Sequence, residues 1–359
     1  MPTEVRSTVN ALTRRDFIRF NLLGMAGLGF PRRPHNRDVS GYDLGLLGRI
    51  ASDEKQIYVH QKPSPESDIV RETRFDELIP LYYPLSIPDE EGHPVLWHRV
   101  WGGYLPGAYV QPTRFQLHAP AREIQQCGQL AEVSVPFTEA FVEDKEGAWQ
   151  KKYRLYYQTT HWVTDILQGP DDRIWYRLTS ELSDTLYYFV RAAHLRLIPV
   201  AEYLPTRITV PPEEKRIEVS ILKQTLTAFE AEKPVFTTKI SSGIGYHEVP
   251  HGTGTPRGVF RVTSKYPSKH MGSTIPTGAP GSYSLPGVPW STFFIYKTGV
   301  AFHGTYWHND YGRVHSHGCV NLLPVDAKWV FRWAEPVIPY EEYTKKADPP
   351  ETGTPVIVV

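Results

Sequence analysis

Between His303 and Asn321 the chain reads His-Gly-Thr-Tyr-Trp-His-Asn-Asp-Tyr-Gly-Arg-Val-His-Ser-His-Gly-Cys-Val-Asn, which gathers four of the fourteen histidines and one of the two cysteines into nineteen residues. A thiol becomes a nucleophile when a neighbouring base raises its thiolate character at neutral pH. His303 and His317, sixteen and two residues before Cys319, are the candidate bases. A strand ending at His303, a long loop and a return at Cys319 can bring the first of them beside the sulfur. Gly318 lets backbone approach closely, and N–H groups at Gly318 and Cys319 could hold a tetrahedral oxyanion. Two other readings stand beside thiol catalysis. His303, His308, His315, His317 and Cys319 are all zinc-ligand types. There is, however, no CxxC or HExxH spacing, and three ligands on one side of a strand at His315, His317 and Cys319 would be crowded. The other reading is a buried structural cysteine among surface histidines. Spacing alone leaves these open.

The elements that must position this stretch lie in a chain of 359 residues, long enough for two or three domains. Lys+Arg and Asp+Glu are both 39, so no net charge points to nucleic acid as a partner. Thirty-two prolines, 27 glycines and 13% aromatics fit a turn-rich, mainly β protein. Two cysteines cannot build a disulfide framework, and Cys127, in the polar run Glu123-Ile-Gln-Gln-Cys127, reads as incidental.

From Arg216 the pattern is of short strands: Arg216–Ile221, Thr225–Glu230, Pro234–Ser242, Gly258–Ser264, Thr292–Tyr296 and Val300–His303. Pro324–Ala334 has helical spacing, with Val325, Trp329, Val330 and Trp333 on one face. Residues 200–212 read as a linker, and the Gly/Pro/Ser-rich insertion His270–Trp290 as a lid or substrate loop. Upstream, 46–113 and 125–200 each show an opening strand, a Trp-bearing strand (Leu96–Val100, Ile174–Leu178) and a closing strand. Both weakly resemble bacterial SH3-like modules.

Ser316-His-Gly-Cys-Val-Asn321, preceded by His303-Gly-Thr, resembles the signature of the L,D-transpeptidase catalytic domain, the YkuD family. Arg216-Ile-Glu-Val-Ser, Gln224-Thr-Leu-Thr-Ala-Phe-Glu and Thr255-Pro-Arg-Gly before Val259-Phe-Arg-Val are similar to it too, so the resemblance covers about residues 213–340. It implies a β-sandwich without metal or cofactor that acts on peptidoglycan stem peptides. Cys319 would be the nucleophile that expels D-alanine from a donor tetrapeptide, and carbapenems would acylate it. His303 would be the base, oriented by a carbonyl near Gly304. His317, Gly318, Ser316 and Asn321 would shape and support the loop. Tyr283, Trp290 and Tyr306 would wall the groove. The same residues would serve an L,D-carboxypeptidase. A papain-like protease would order its Cys before its His, and a non-catalytic wall-binding protein would not need an intact pair.

Residues 1–32 form a separate signal. Thr13-Arg-Arg-Asp-Phe-Ile-Arg19 and the apolar run Phe20–Phe30 resemble a twin-arginine export signal, implying an extracytoplasmic protein. The run is too short to span a bilayer, which needs about 20 residues. Whether it is removed or kept as a membrane anchor stays open.

Overall fold

The computed structural model describes residues 45–52, 56–180, 183–245, 253–272, 283–295, 297–342, 345–348 and 350–359. The export-signal expectation at 1–32 and the tip of the His270–Trp290 insertion, 273–282, lie outside these residues. Among the described residues no helix is long and apolar enough to cross a membrane. The protein is mainly β, as its composition implies.

Two upstream modules share a plan. In the first, the Trp97 strand Pro94–Val100 forms a hairpin with Gly103–Pro106. A 3-10 turn, Gly107–Tyr109, then leads into the closing strand Val110–Thr113, antiparallel to the opening strand Leu47–Ile50. In the second, the Trp175 strand Ile174–Ser180 pairs with Ser183–Arg191. A 3-10 turn at Ala192–His194 then leads to Leu195–Leu197, antiparallel to the opening Gln129–Val133.

The C-terminal domain stacks two five-stranded sheets. Lys215–Ser220 and Thr225–Glu230 alternate buried and part-exposed residues, so each turns one side inward. Ile217, Val219, Leu226 and Ala228 there face Phe294, Phe302, Val320 and Leu322 of the second sheet in one core. Pro355–Val358 lies inside the first sheet, parallel to Lys215–Ser220 and antiparallel to Gly258–Arg261. The domain therefore runs past the end at 340 read from the sequence. The second sheet runs Val320–Leu322, Val300–Gly304, Ser284–Ile295, Ser264–Gly272, Lys345–Lys346. The described parts of the expected loop are mainly strand: His270–Gly272 ends one and Ser284–Trp290 begins the next, antiparallel to it.

The middle module is joined to this domain by a common core. Leu130, Trp162 and Ile198 belong to the same buried cluster as the sandwich. The expected linker contributes a helical turn, Val200–Tyr203, with Tyr203 packed on Trp290, Phe331 and Tyr340. The aromatic anchor converts a Pro-rich connection into part of the interior.

The helix Pro324–Trp333 forms as expected, with Pro324 at its start where a missing N–H costs nothing. Its buried face is Ala327, Val330, Phe331 and Trp333, while Val325 is exposed. The carbonyls at and beyond its C-terminus are met by two buried lysines. Lys265 Nζ donates to Ala334 O (2.7 Å) and Pro336 O (2.8 Å). Lys215 Nζ donates to Trp333 O (3.1 Å) and pairs with Glu335 (3.0 Å). Their ammonium groups satisfy the orphan acceptors and, when protonated, complement the helix dipole, although burial draws the pKa of Lys265 down to about 7. Lys265→Met should therefore cost about 3 kcal/mol, because each charge-assisted bond lost strands a buried carbonyl. Thermal unfolding should show a fall of roughly 5–10 °C; an unchanged melting temperature would contradict the capping role.

Candidate active site

His303 sits in a strand buried from end to end, Val300–Gly304. Its neighbour Val320–Leu322 runs parallel to it, with Phe302 opposite Val320, His303 opposite Asn321 and Gly304 opposite Leu322. Cys319 enters this strand one residue earlier, level with Ala301. Cys319 itself stands in the bend just before that strand, and its sulfur meets the backbone of the His303 strand at the Ala301 N–H and of the preceding turn at Gly299 O.

The imidazole has a fixed tautomer. His303 Nδ1–H donates to Gly304 O at 3.0 Å, which leaves Nε2 as the proton acceptor. Burial holds the ring neutral and pushes its pKa down to about 4, with the Gly304 bond opposing in part. The Cys319 thiol is part-exposed yet closely surrounded by protein. Burial pushes its pKa up, and an N–H bond from Ala301 draws it partly back. Its Sγ–H points to Gly299 O, 3.6 Å away, and not to His303. The resting site is thus a neutral thiol and a neutral imidazole. A rotation of the cysteine side chain must join them before proton transfer, and such pairs commonly tighten only on substrate binding.

The turn before Cys319 is a knot of backbone and small side chains. Ser316 Oγ–H donates to Cys319 O and accepts from Gly318 N–H (3.1 Å). Thr255 Oγ1–H donates to Gly318 O (2.9 Å) and accepts from Gly243 N–H (2.9 Å). Gly318 has φ +121°, which side chains rarely adopt. A Cβ on Gly243 would stand 2.4 Å from Thr253 O and 2.8 Å from Gly318 Cα, so only glycine lets these segments cross. Below the knot, Ser241 and Asn321 exchange both backbone bonds (3.0 and 2.9 Å). Gln224 holds Ser242 through its amide, accepting from the Ser242 N–H at 2.8 Å.

Of the residues expected at the site, Cys319, His303, Gly304, Ser316, Gly318 and Asn321 come together. The Asn321 amide lies 2.9 Å from His308 Nε2, on the buried side of the loop. His317 is exposed, and the Gly318 N–H is engaged by Ser316, so the Cys319 N–H is the donor left for an oxyanion. Tyr283 stands near enough to the thiol for that group to help raise its phenol pKa, after burial. Trp290 and Tyr306 do not wall a groove. Trp290 is a core residue against Tyr203 and Phe331, and Tyr306 is buried against Tyr156 of the middle module. Each is large and apolar enough to be worth more inside than in a loop. The sequence reading did not single out Ser242 or Gly243; Gln224 and Thr255 appeared there only within segments quoted for the resemblance. Cys127 is distant in sequence, and its thiol is bonded to Gly128 O at 3.5 Å. A cavity of about 860 Å³ opens between the upstream modules, lined by Ile57, Arg71, Phe75 and Phe137 among others. It contains neither member of the reactive pair, so chemistry and not volume marks the site.

Residues 214–358 match the YkuD family, the L,D-transpeptidase catalytic domain. A search of curated proteins returned no match. Among solved structures, this chain is similar to a mutant L,D-transpeptidase of Enterococcus faecium at 26% identity, over 41% of this chain and 50% of that one, with a TM-score of 0.31. The Ldtfm–avibactam carbamoyl enzyme is 27% identical over 41% of this chain and 49% of its own, TM-score 0.31. The L,D-transpeptidase LdtMt1 in complex with imipenem is 19% identical over 70% of this chain and 90% of its own, TM-score 0.31. The chain spans about half the length of the first two. These superpositions are too loose to transfer residue roles to this YkuD domain, so its roles rest on the geometry above.

Two outcomes follow from that geometry. Thr255→Val should slow reaction at Cys319 about tenfold or more, because the turn carrying the thiol loses its tie and a small misplacement is costly. A variant that reacts like the parent would show that the knot does not set the thiol. Rates of Cys319 acylation measured from about pH 5 to 8 should show no step near 6.5, the ordinary histidine value. His303, down at about 4, stays an unprotonated acceptor throughout that range. A limb centred near 6.5 would place the base elsewhere.

Proposed function

We propose that this protein is an exported peptidoglycan L,D-transpeptidase. The observation that carries the reading is a tautomer-fixed histidine in one strand and a cysteine directly before the strand parallel to it, within a stretch that matches this catalytic domain. Cys319 attacks the carbonyl of the third residue of a donor tetrapeptide stem, and His303 Nε2 takes the thiol proton. The tetrahedral oxyanion is held by the Cys319 N–H. On collapse the proton passes from His303 to the leaving amine, and D-alanine departs. The thioester conserves the peptide bond's energy outside the cell. An acceptor amine, deprotonated by His303, then attacks to form the cross-link and release the thiol.

A neutral resting pair suits this cycle, since His303 must be a base before attack and an acid after it. His303 is buried, and a stem peptide seated over the part-exposed thiol would exclude the water that could divert the thioester to hydrolysis. Carbapenems acylate Cys319 in this reading, in keeping with its place in a stretch that matches the L,D-transpeptidase catalytic domain. Residues 1–32 address the folded chain to the twin-arginine route, and the upstream modules are SH3-like braces for the catalytic domain.

Purified full-length protein with a tetrapeptide stem should yield a cross-linked dimer and D-alanine, resolved by mass. A carbapenem should add one mass unit of inhibitor, at Cys319. Cys319→Ala should abolish both, and His303→Ala should slow both by about 10²–10⁴. Tripeptide without dimer would make the enzyme a carboxypeptidase; full activity in Cys319→Ala would overturn the assignment.

A further inference from the structure

We infer that Arg49, in the opening strand of the first module, is a positioning residue for the base His303. This rests on the reading of His303 as the base. Arg49 is 1% exposed and reaches into all three parts of the chain. Nη1 meets Asp76 Oδ1 at 2.7 Å and Nε donates to Gln111 Oε1 at 2.9 Å, both within its own module. Its guanidinium lies 4.2 Å over the ring of Tyr156, in the middle module. Nη2 donates to the backbone carbonyl of Tyr306, three residues beyond His303.

That last bond is what ties the module to the catalytic loop. Beyond Gly304 the loop leaves its sheet, and residues 305–312 form no strand. Its carbonyls must find partners elsewhere if they are buried. Arg49 supplies one, and it does so with a planar fork that fixes direction as well as distance. Tyr306 is clamped at the same point, since its ring stacks on Tyr156 at 4.9 Å. It also meets Trp307 edge-on at 4.9 Å, and Trp307 lies 5.7 Å from the His303 ring. The first module grips the loop again further on: Asn309 N–H donates to Ala108 O at 2.7 Å, and Tyr109 packs edge-on against His315.

The charges around the junction close on themselves. Asp76 takes Arg49 on one oxygen and Arg154 on the other (2.6 Å), with Tyr156 OH at 3.3 Å, and Arg154 also holds Glu139. A buried arginine with one carboxylate is costly to desolvate. Apolar side chains would fill the same space more cheaply, but they could not satisfy the Tyr306 carbonyl or hold the loop in one register. Loss of this grip lets residues 304–307 shift, and with them the carbonyl of Gly304 that keeps Nε2 free for the thiol.

The test compares the full-length parent with Arg49→Lys and Tyr156→Leu. Lysine keeps the charge beside Asp76 and loses the fork. Carbapenem acylation of Cys319 should be about 10–100-fold slower in Arg49→Lys near neutral pH. The deficit should shrink to less than about threefold near pH 9.5, where more of the thiol ionises without help from the imidazole. Tyr156→Leu should lose rate in the same pH-dependent way, which keeps the test open if Arg49→Lys does not fold. A deficit constant across pH, or parent-like rates in both variants, would overturn the inference. Should the parent itself form no adduct, the transpeptidase reading fails, and the ¹⁵N spectrum of the His303 ring still decides this one. The inference requires an Nδ1–H tautomer in the parent and averaging over both nitrogens in the variants; the same tautomer in all three would contradict it.

Discussion

The parallel pairing of Val300–Gly304 with Val320–Leu322 is the constraint on which the site depends. Parallel strands need a crossover of a dozen or more residues, usually a helix. Here the connection is an irregular loop that carries three histidines and, at its end, Cys319. It must leave the sheet after His303 and re-enter at Cys319 in one register. A slip by one residue would send the sulfur to the opposite face. The Gly243–Thr255–Gly318 crossing and the Ser316 bonds secure the return, and the contacts from the upstream modules secure the departure.

The electrostatics of the pair follow from burial and not from opposite charge. Cysteine enzymes with a thiolate–imidazolium pair depress the thiol pKa; here burial disfavours charge on both partners. The base acts at the moment of attack, so its direction matters more than its strength. A single backbone carbonyl, that of Gly304, sets which nitrogen is free.

Much of this was legible in the residues. The strand-rich domain stands out from residue type and spacing, which leave the role of Cys319 and His303 open; the pair and its Gly304 carbonyl enter only through the family resemblance. What stayed hidden depends on partners far along the chain. The sequence pattern puts Ser264 at the end of one strand and His270 at the start of a loop, yet Ser264–Gly272 is a single strand, with polar groups met by the middle module. Ser268 Oγ–H donates to Thr160 O at 2.5 Å and Thr160 Oγ1–H to Pro267 O at 2.6 Å. Trp290 and Tyr306 lie close to the motif in sequence and point into cores, since proximity along a loop does not decide which way a ring turns. The closing strand Pro355–Val358 follows a charged, Pro-rich stretch with no local sign that it will end inside a sheet.

The neutral resting pair is the central claim, and the ionisation of Cys319 tests it most directly. Alkylation by iodoacetamide, followed over about pH 5 to 10 in a Cys127→Ser background, reads the thiolate fraction. The account predicts a titration above the ordinary thiol value of about 8.5. Rapid alkylation already below about pH 7 would reveal a preformed thiolate, and would contradict it.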